Sequence, residues 1–201
     1  MSPTRSLGRR RVGFTLIELL VVITVIAVLV GISVPAYQGV QDRARKLQAK
    51  NDAAQMIIAV NAFYTEYGVY PSTYQPEMTY DSLNNNTNDK LFDALRGKDT
   101  TINPRSIVYI SPPDAKDNKA GIAATAPFQW FDPWGKPYVI RIDTNFDNQV
   151  SNPYSKNAGP NPLNQTVIVW SFGKDTKSNS VGGAASDKNA GTNADDVISW
   201  Q

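Results

Sequence analysis

The sequence predicts an α+β protein in which a long N-terminal helix packs against a small antiparallel β-sheet with irregular loops. Three observations support this fold class. An apolar run extends from Gly13 to Val34 with one charged residue in it, and apolar residues continue beyond it at helical spacing. Short β-branched and aromatic runs, separated by turn residues, occupy the C-terminal part of the chain.

The apolar run predicts a membrane-spanning helix. Its 21 residues from Phe14 to Val34 reach about 31 Å as a helix, close to the roughly 30 Å hydrocarbon core of a bilayer. A secretory signal peptide fits less well because the run is long, contains Glu18 and lacks a small-residue cleavage site. A carboxylate costs about 2.5 to 3.5 kcal/mol near the bilayer centre, so Glu18 is a candidate functional residue. A plain anchor that tolerates Glu18 near the interface is the alternative.

The helix is predicted to continue beyond the membrane segment, with Pro35 either kinking it or starting a new turn. Between Ala53 and Tyr64 the apolar residues spread round more of the helix, which favours coverage by a folded domain. Gly68, followed by Pro71, predicts the C-terminal end. The continuing apolar stripe consists of Tyr37, Val40, Ala44, Leu47, Ala54 and Ile58.

Turn and strand signals fill the remaining chain. A polar stretch at 81–89 predicts an exposed loop, and 90–96 predicts a short helix capped by Asn88 or Asp89. Three or four short strands suit an antiparallel sheet laid against the upper half of the long helix. The predicted strands cover residues 107–110, 138–142, 166–172 and 197–200.

The composition excludes several function classes. The chain has no cysteine and no histidine, so it forms no disulfides and lacks the commonest general base and transition-metal ligand. The net charge of +2 falls to −2 if the first 13 residues, with four arginines, are removed. A nucleic-acid binder would need a basic stripe. We therefore predict a non-enzymatic protein that binds no nucleic acid.

A basic segment precedes the apolar run. It consists of Arg5, Arg9, Arg10 and Arg11, and it is followed by Gly13, Phe14, Thr15, Leu16 and Glu18. This pattern resembles the class III signal of type IV pilins and of the pseudopilins of type II secretion. In that family a prepilin peptidase cuts after the glycine and the new N-terminal residue is methylated, which implies a cut between Gly13 and Phe14. Glu18 takes the position of the family's glutamate.

The implied role of Glu18 has a physical basis. Cleavage leaves a cationic amine on Phe14, and in a packed filament that amine can meet Glu18 of a neighbouring subunit. In a low dielectric such a pair offsets the cost of burying either charge alone. Glu18 is therefore expected to set register and assembly.

The C-terminal part is similar to the major pseudopilin of type II secretion. Asp132-Pro133-Trp134-Gly135 followed by Pro137-Tyr138 is similar to a signature of that protein. Ser171-x-Gly173-x-Asp175 and a later Asp196-x-x-x-Trp200 resemble a loop that closes over calcium in the family. Calcium takes oxygen ligands, and a bound ion would fasten a loop that has no disulfide.

The resemblance implies Asp175, Asp195 and Asp196 as candidate ligands of a possible Ca²⁺ ion. Thr176 stands where the family usually has glycine. The ligand set, including any part played by Asp187, therefore stays open. A solvated polar loop is the alternative.

A second candidate cation loop is weaker. Asp143 to Asn148 carries oxygen side chains at alternate positions, as an EF-hand loop does at its start. The sixth residue is Asn148 instead of glycine, and the twelfth is Tyr154 instead of glutamate. A polar turn is the favoured interpretation, and whether Asp143 and Asp147 form a second site stays open.

Together these features predict a structural subunit of a periplasmic type II secretion pseudopilus. It would cross the inner membrane once, with a cytoplasmic N-terminus and a periplasmic C-terminal domain. The resemblance implies several partners: copies of itself in a helical filament, other pseudopilins, prepilin peptidase, the membrane, and an inner-membrane assembly platform with its ATPase. The predicted domains are a cleaved leader (1–13), a transmembrane and filament-core helix (14–35), its continuation (36–70) and a globular head (71–201).

Two alternatives remain open at this point. A type IV pilin or minor pilin, serving adhesion or DNA uptake, has the same N-terminal signal. Many such pilins carry a C-terminal disulfide loop, so the absence of cysteine favours the pseudopilin. A membrane-anchored binding or enzymatic domain is the other alternative, and it would need a site that neither His nor Cys can supply.

Overall fold

The computed structural model describes residues 13–71, 77–80, 87–177 and 187–201. The arginines of the leader, most of the predicted polar loop at 81–89 and the middle of the C-terminal loop lie outside these residues. The chain divides into two compact units, Met1–Arg43 and Ala44–Gln201, and one helix contributes to both.

The long helix α1 spans Leu16–Tyr67, 52 residues, and it continues through Pro35. It ends where the sequence predicts, because Gly68 takes a left-handed φ of +69° and donates its N–H to the Tyr64 carbonyl at 2.8 Å. In the first unit the described apolar side chains are exposed, including Phe14 and Leu29. Among the described residues, α1 is the helix long and apolar enough to cross a membrane.

In the second unit one face of α1 forms part of the core. The residues on that face are spaced three or four positions apart, and they are Ala49, Ala53, Met56, Val60 and Phe63. The apolar stripe noted in the sequence lies on another face, since Leu47 and Ile58 are 62% and 67% exposed. The stripe therefore predicted the helix correctly without marking the side that packs, because small residues such as Ala49 and Ala53 form much of the packed face.

The sheet confirms the predicted antiparallel arrangement. In chain order the α-helix and strands described after α1 are β1 (Glu77–Tyr80), α2 (Asp89–Leu95), β2 (Gly121–Ile122), β3 (Trp130–Phe131), β4 (Val139–Asp143), β5 (Val167–Ser171) and β6 (Val197–Ile198). In the described part of the chain, four strands lie in the order β1-β4-β5-β6, all antiparallel to their neighbours, and β2 pairs with β3 separately.

Two local predictions need correction. The strand expected at 107–110 is wrong, because the N–H and carbonyl of Ile107 bond to the side chain of Asn103 and Tyr109 donates to the Leu95 carbonyl. The backbone there is satisfied by α2 and a side chain instead of a neighbouring strand. Asn88 does precede α2, but its side chain does not cap the helix.

Both faces of the sheet are covered. Ile140, Ile142, Val167 and Val169 pack in one core cluster with α1 and α2. The alternate residues of the same strands, Val139, Ile168 and Trp170, pack in a second cluster with Val150, Tyr154 and Trp200. The C-terminal segment pairs with β5 through β6 and adds Ile198 and Trp200 to the second cluster, which brings its aspartates beside the end of β5.

Candidate functional sites

The first site is the start of α1. Thr15 directly precedes the helix, and its hydroxyl accepts a hydrogen bond from the Glu18 N–H at 3.3 Å. The Glu18 carboxylate in turn accepts from the Thr15 N–H at 2.7 Å and from the Thr15 hydroxyl at 2.6 Å. This reciprocal arrangement is a capping box, which satisfies two otherwise unpaired groups at a helix start. Glu18 therefore has hydrogen-bond partners within the same chain.

The sequence contains a signal for this cap, although Glu18 was predicted only as the partner of the Phe14 amine. Thr15-x-x-Glu18 immediately before an apolar run is the spacing of a capping box. The candidate cleavage residues Gly13 and Phe14 lie before the helix and are exposed, Phe14 by 77%. Their peptide bond therefore lies outside the helical hydrogen-bond ladder.

The second site begins at the turn Asp132 to Lys136. Asp132 is fully buried, and its Oδ1 accepts backbone N–H groups of Trp134, Gly135 and Lys136 at 2.7 to 2.9 Å. Its Oδ2 accepts the Ser171 hydroxyl at 2.5 Å. The Ser171 oxygen also accepts the Gly173 N–H at 3.1 Å. The turn thereby fixes the point where the C-terminal loop leaves β5.

The two ends of the C-terminal loop lie side by side. The Asp175 N–H donates to Oδ2 of Asp195 at 2.7 Å. Gly173 has a φ of +67°, and a Cβ added there would lie 2.3 Å from the Asp195 carbonyl oxygen. Only glycine permits this approach. Thr176, the departure from the family pattern, also has a left-handed φ of +59°.

Asp196 is the buried member of the group. Its side chain is 6% exposed, and Oδ2 accepts the Tyr154 hydroxyl at 2.6 Å. Its Oδ1 is buried and has no hydrogen-bond partner among the described residues. Burial raises the pKa of Asp196 to about 7, opposed by Tyr154 and Lys188 and assisted by the charges of Asp195 and Asp175. We call Asp175, Asp195 and Asp196 the acidic cluster.

The donor chemistry of the acidic cluster fits a hard divalent cation. Carboxylates and backbone carbonyls are the ligands that calcium prefers, and the unpartnered Oδ1 of Asp196 is such a donor. In the described part of the chain, however, no three Asp, Glu, His or Cys side chains are already grouped to hold a metal. Asp187 is engaged elsewhere, accepting from the Asn157 amide at 2.7 Å and from the Asn189 N–H at 2.9 Å.

The weaker loop at 143–148 forms a turn through its own polar groups. Asp143 Oδ2 accepts the Asn148 N–H at 2.8 Å. Asp147 accepts from the Asn145 side chain and from the Gln149 N–H, each at 2.8 Å. The aspartates of this segment thus stabilise the turn.

Two residues beside the acidic cluster were not found from the sequence. Tyr154 reaches Asp196 across 42 positions of the chain, and Lys188 is buried with its Nζ donating to the Asn193 carbonyl at 3.1 Å. No spacing rule connects such distant residues, and a lysine in a polar loop ordinarily predicts exposure.

Comparison with known proteins identifies the family of this chain. The family model described as the prokaryotic N-terminal methylation motif matches residues 9–34. The type II secretion system core protein G of Escherichia coli K12 is 30% identical over 128 residues, 64% of this chain and 70% of that protein. The chain belongs to the core protein G family of type II secretion systems. The Pseudomonas aeruginosa core protein G is 29% identical over 130 residues, 65% of this chain and 72% of that protein.

Fimbrial relatives match a shorter stretch. Fimbrial protein EcpC of Eikenella corrodens is 43% identical over 60 residues, which is 30% of this chain and 39% of that protein. The alignments with the Escherichia coli and Pseudomonas aeruginosa core proteins G are longer than α1 and its leader together, so these two extend into the head. No solved structure matches the chain. The relatives are structural pilins and pseudopilins, and this core protein G family member is accordingly a non-enzymatic subunit.

Proposed function

We propose that this chain is a filament subunit of a periplasmic type II secretion pseudopilus. The observation that carries the proposal is a methylation motif at residues 9–34 on a chain whose core protein G similarity extends into the head. The prepilin is cleaved between Gly13 and Phe14 by prepilin peptidase, methylated on Phe14 and packed through α1. Before assembly it spans the inner membrane, with a cytoplasmic leader and a periplasmic head.

Assembly in this proposal involves further components. Copies of the chain and other pseudopilins pack against it, and an inner-membrane platform with its ATPase adds the subunits. The growing filament then acts mechanically on secreted proteins, and the subunit carries out no chemistry of its own.

Glu18 has a proposed role in both the free and the assembled subunit. In the free subunit the contacts from Thr15 go to Oε2 of Glu18, so Oε1 remains for a further donor. After cleavage, the ammonium of Phe14 from a neighbouring subunit supplies that donor. The pair forms among packed apolar helices, where an ammonium or a carboxylate left alone would be costly.

Two variants separate the ion pair from the helix cap. Glu18→Gln keeps an acceptor that suits a capping box but removes the charge. Thr15→Val removes the capping hydroxyl, at a cost of about 1 kcal/mol, and keeps the carboxylate. We expect Glu18→Gln to be cleaved yet to assemble poorly, and Thr15→Val to assemble nearly as the unmodified chain does.

The measurements are the mass of the mature N-terminus and the yield of cross-linked filaments. Normal filament yield from Glu18→Gln, or equal loss in both variants, would refute the ion pair and leave the cap as the role of Glu18. An uncleaved N-terminus in membranes would overturn the filament proposal itself and favour a plain anchor.

We also propose that the acidic cluster binds Ca²⁺. The support is a buried carboxyl oxygen of Asp196 without a hydrogen-bond partner among the described residues, next to the carboxylates of Asp175 and Asp195. When bound, the ion neutralises these charges and fixes the C-terminal loop against β5. The residues that would hold it are those of the cluster, and Tyr154 orients Asp196 through its hydroxyl.

Thermal unfolding of the full chain in detergent micelles tests the calcium proposal. Calcium should raise Tm relative to a chelator, because a ligand that binds only the folded state stabilises it. Asp196→Asn should remove most of this rise, and Asp147→Asn, a carboxylate change in the other turn, should not. A Tm that is the same in calcium and in chelator would reject the ion while leaving the filament proposal untouched.

A further inference from the structure

A buried lysine lies beside the acidic cluster. Lys188 is 7% exposed, and its Nζ donates to the carbonyl oxygen of Asn193 at 3.1 Å. The same carbonyl oxygen accepts the N–H of Asp196 at 3.2 Å. The ammonium and the backbone of Asp196 therefore share one acceptor. Lysine is almost never buried to this extent unless its charge is paired.

Charges of both signs act on Lys188. Burial lowers the pKa of Lys188, and the negative charges of Asp196 and Asp195 oppose that fall. In return, Lys188 opposes the burial that raises the pKa of Asp196. Lys46 and Lys50 on α1 lie close enough to lower the pKa of Lys188 further. Lys188 thus supplies a positive charge near Asp196 from within the chain itself.

We propose that Lys188 is the internal cation beside the acidic cluster, fixing the backbone next to Asp196 through the Asn193 carbonyl and competing with a divalent ion for that oxygen. The Asn193 carbonyl is an oxygen donor of the kind calcium takes, and Lys188 already uses it. A divalent ion beside a buried ammonium is repelled strongly, so the lysine must move away when the ion enters. The competition rests on the proposed calcium site, whereas the contact between Lys188 and the Asn193 carbonyl does not.

The first test uses the full chain in detergent micelles. Lys188→Met removes the charge at nearly the same side-chain length. Lys136→Met is the matched control, an exposed lysine whose hydrogen bonds to Asp132 use only its backbone N–H and carbonyl. By calorimetric titration with calcium chloride, Lys188→Met should bind at least about tenfold more tightly than the control, since the repulsion between the charges is lost. In chelator its Tm should fall below that of the control.

A labelling experiment on the unmodified chain needs no variant that might fold poorly. Acetylation of lysines, followed by mass spectrometry, should modify Lys188 more slowly than Lys136 in chelator and several-fold faster once calcium is added. Equal calcium affinity in Lys188→Met and the control, or an unchanged Lys188 rate while calcium raises Tm, would overturn the competition and leave the calcium site in place. Absence of calcium binding in every variant would overturn both, without bearing on filament assembly.

Discussion

Substituting Gly173 by alanine tests the geometry that brings the ends of the C-terminal loop together. Gly173 has a φ of +67°, and an added Cβ would lie 2.3 Å from the Asp195 carbonyl oxygen and 2.6 Å from its carbonyl carbon. Both contacts are to backbone, which cannot rotate away as a side chain can. The left-handed conformation costs about 1 to 2 kcal/mol for a residue with a Cβ, and relieving the overlap costs about 1 to 3 kcal/mol more.

Gly191 provides a matched control in the same C-terminal segment. Its φ is +59°, but nothing lies within 4 Å of an added Cβ. Gly191→Ala should therefore lose only the conformational part, about 1 to 2 kcal/mol, whereas Gly173→Ala should lose about 2 to 5 kcal/mol. Urea unfolding of the two full-length variants in micelles measures the difference. Equal losses would refute the close approach of Gly173 to Asp195.

Two other predictions concern strained and buried groups. Thr176→Gly should stabilise the fold by about 0.5 to 1 kcal/mol, because a β-branched residue at a φ of +59° is strained and glycine is not; urea unfolding that shows no gain would contradict this strain. Burial raises the pKa of Asp52, which accepts the Tyr138 hydroxyl at 2.9 Å. Neutral Asp52 makes its full contribution to stability below pH 3.8, the pKa of this carboxyl in the unfolded chain. That contribution is lost as pH rises through the raised pKa of the folded state. Asp52→Asn should therefore lose less stability over that pH range. Unfolding midpoints that fall with pH as steeply as those of the unmodified chain would contradict the assignment.

Local patterns predicted the elements whose structure is decided locally. The end of α1 at Gly68 follows from glycine's access to positive φ, and β5 follows from an uninterrupted run of β-branched and aromatic residues. By contrast, β1 was missed, because its four residues become a strand only by pairing with β4, from Glu77 opposite Asp143 to Tyr80 opposite Ile140. The residues at 107–110 have strand-forming side chains, yet Asn103 takes the backbone groups that a strand would need.

The two candidate sites differ in the same way, because one depends on residues near in sequence and the other on residues far apart. The residues proposed for the N-terminal site, Gly13, Phe14 and Glu18, lie close together in the sequence, so a sequence motif is enough to propose them. For the acidic cluster the aspartates could be named, since they flank one loop. The electrostatic setting of these aspartates could not be predicted. Tyr154 reaches Asp196 only through the packing of the second core cluster, and Lys188 lies near Asp196 only because both donate to the Asn193 carbonyl. A pattern of residues shows which charges are present but not which of them are buried together.

The capping box explains how the free subunit can hold a carboxylate at the start of an apolar helix. Glu18 lies in the first turn of α1, where the helix dipole favours a negative charge. Thr15 supplies two hydrogen bonds to the carboxylate from within the same chain, so its burial cost before assembly is partly offset. In the proposed processing, cleavage would create a positive charge on Phe14, directly before that cap. A carboxylate already fixed in position loses little conformational freedom when a neighbour's ammonium arrives, which favours the proposed pairing over a Glu18 that had first to be ordered.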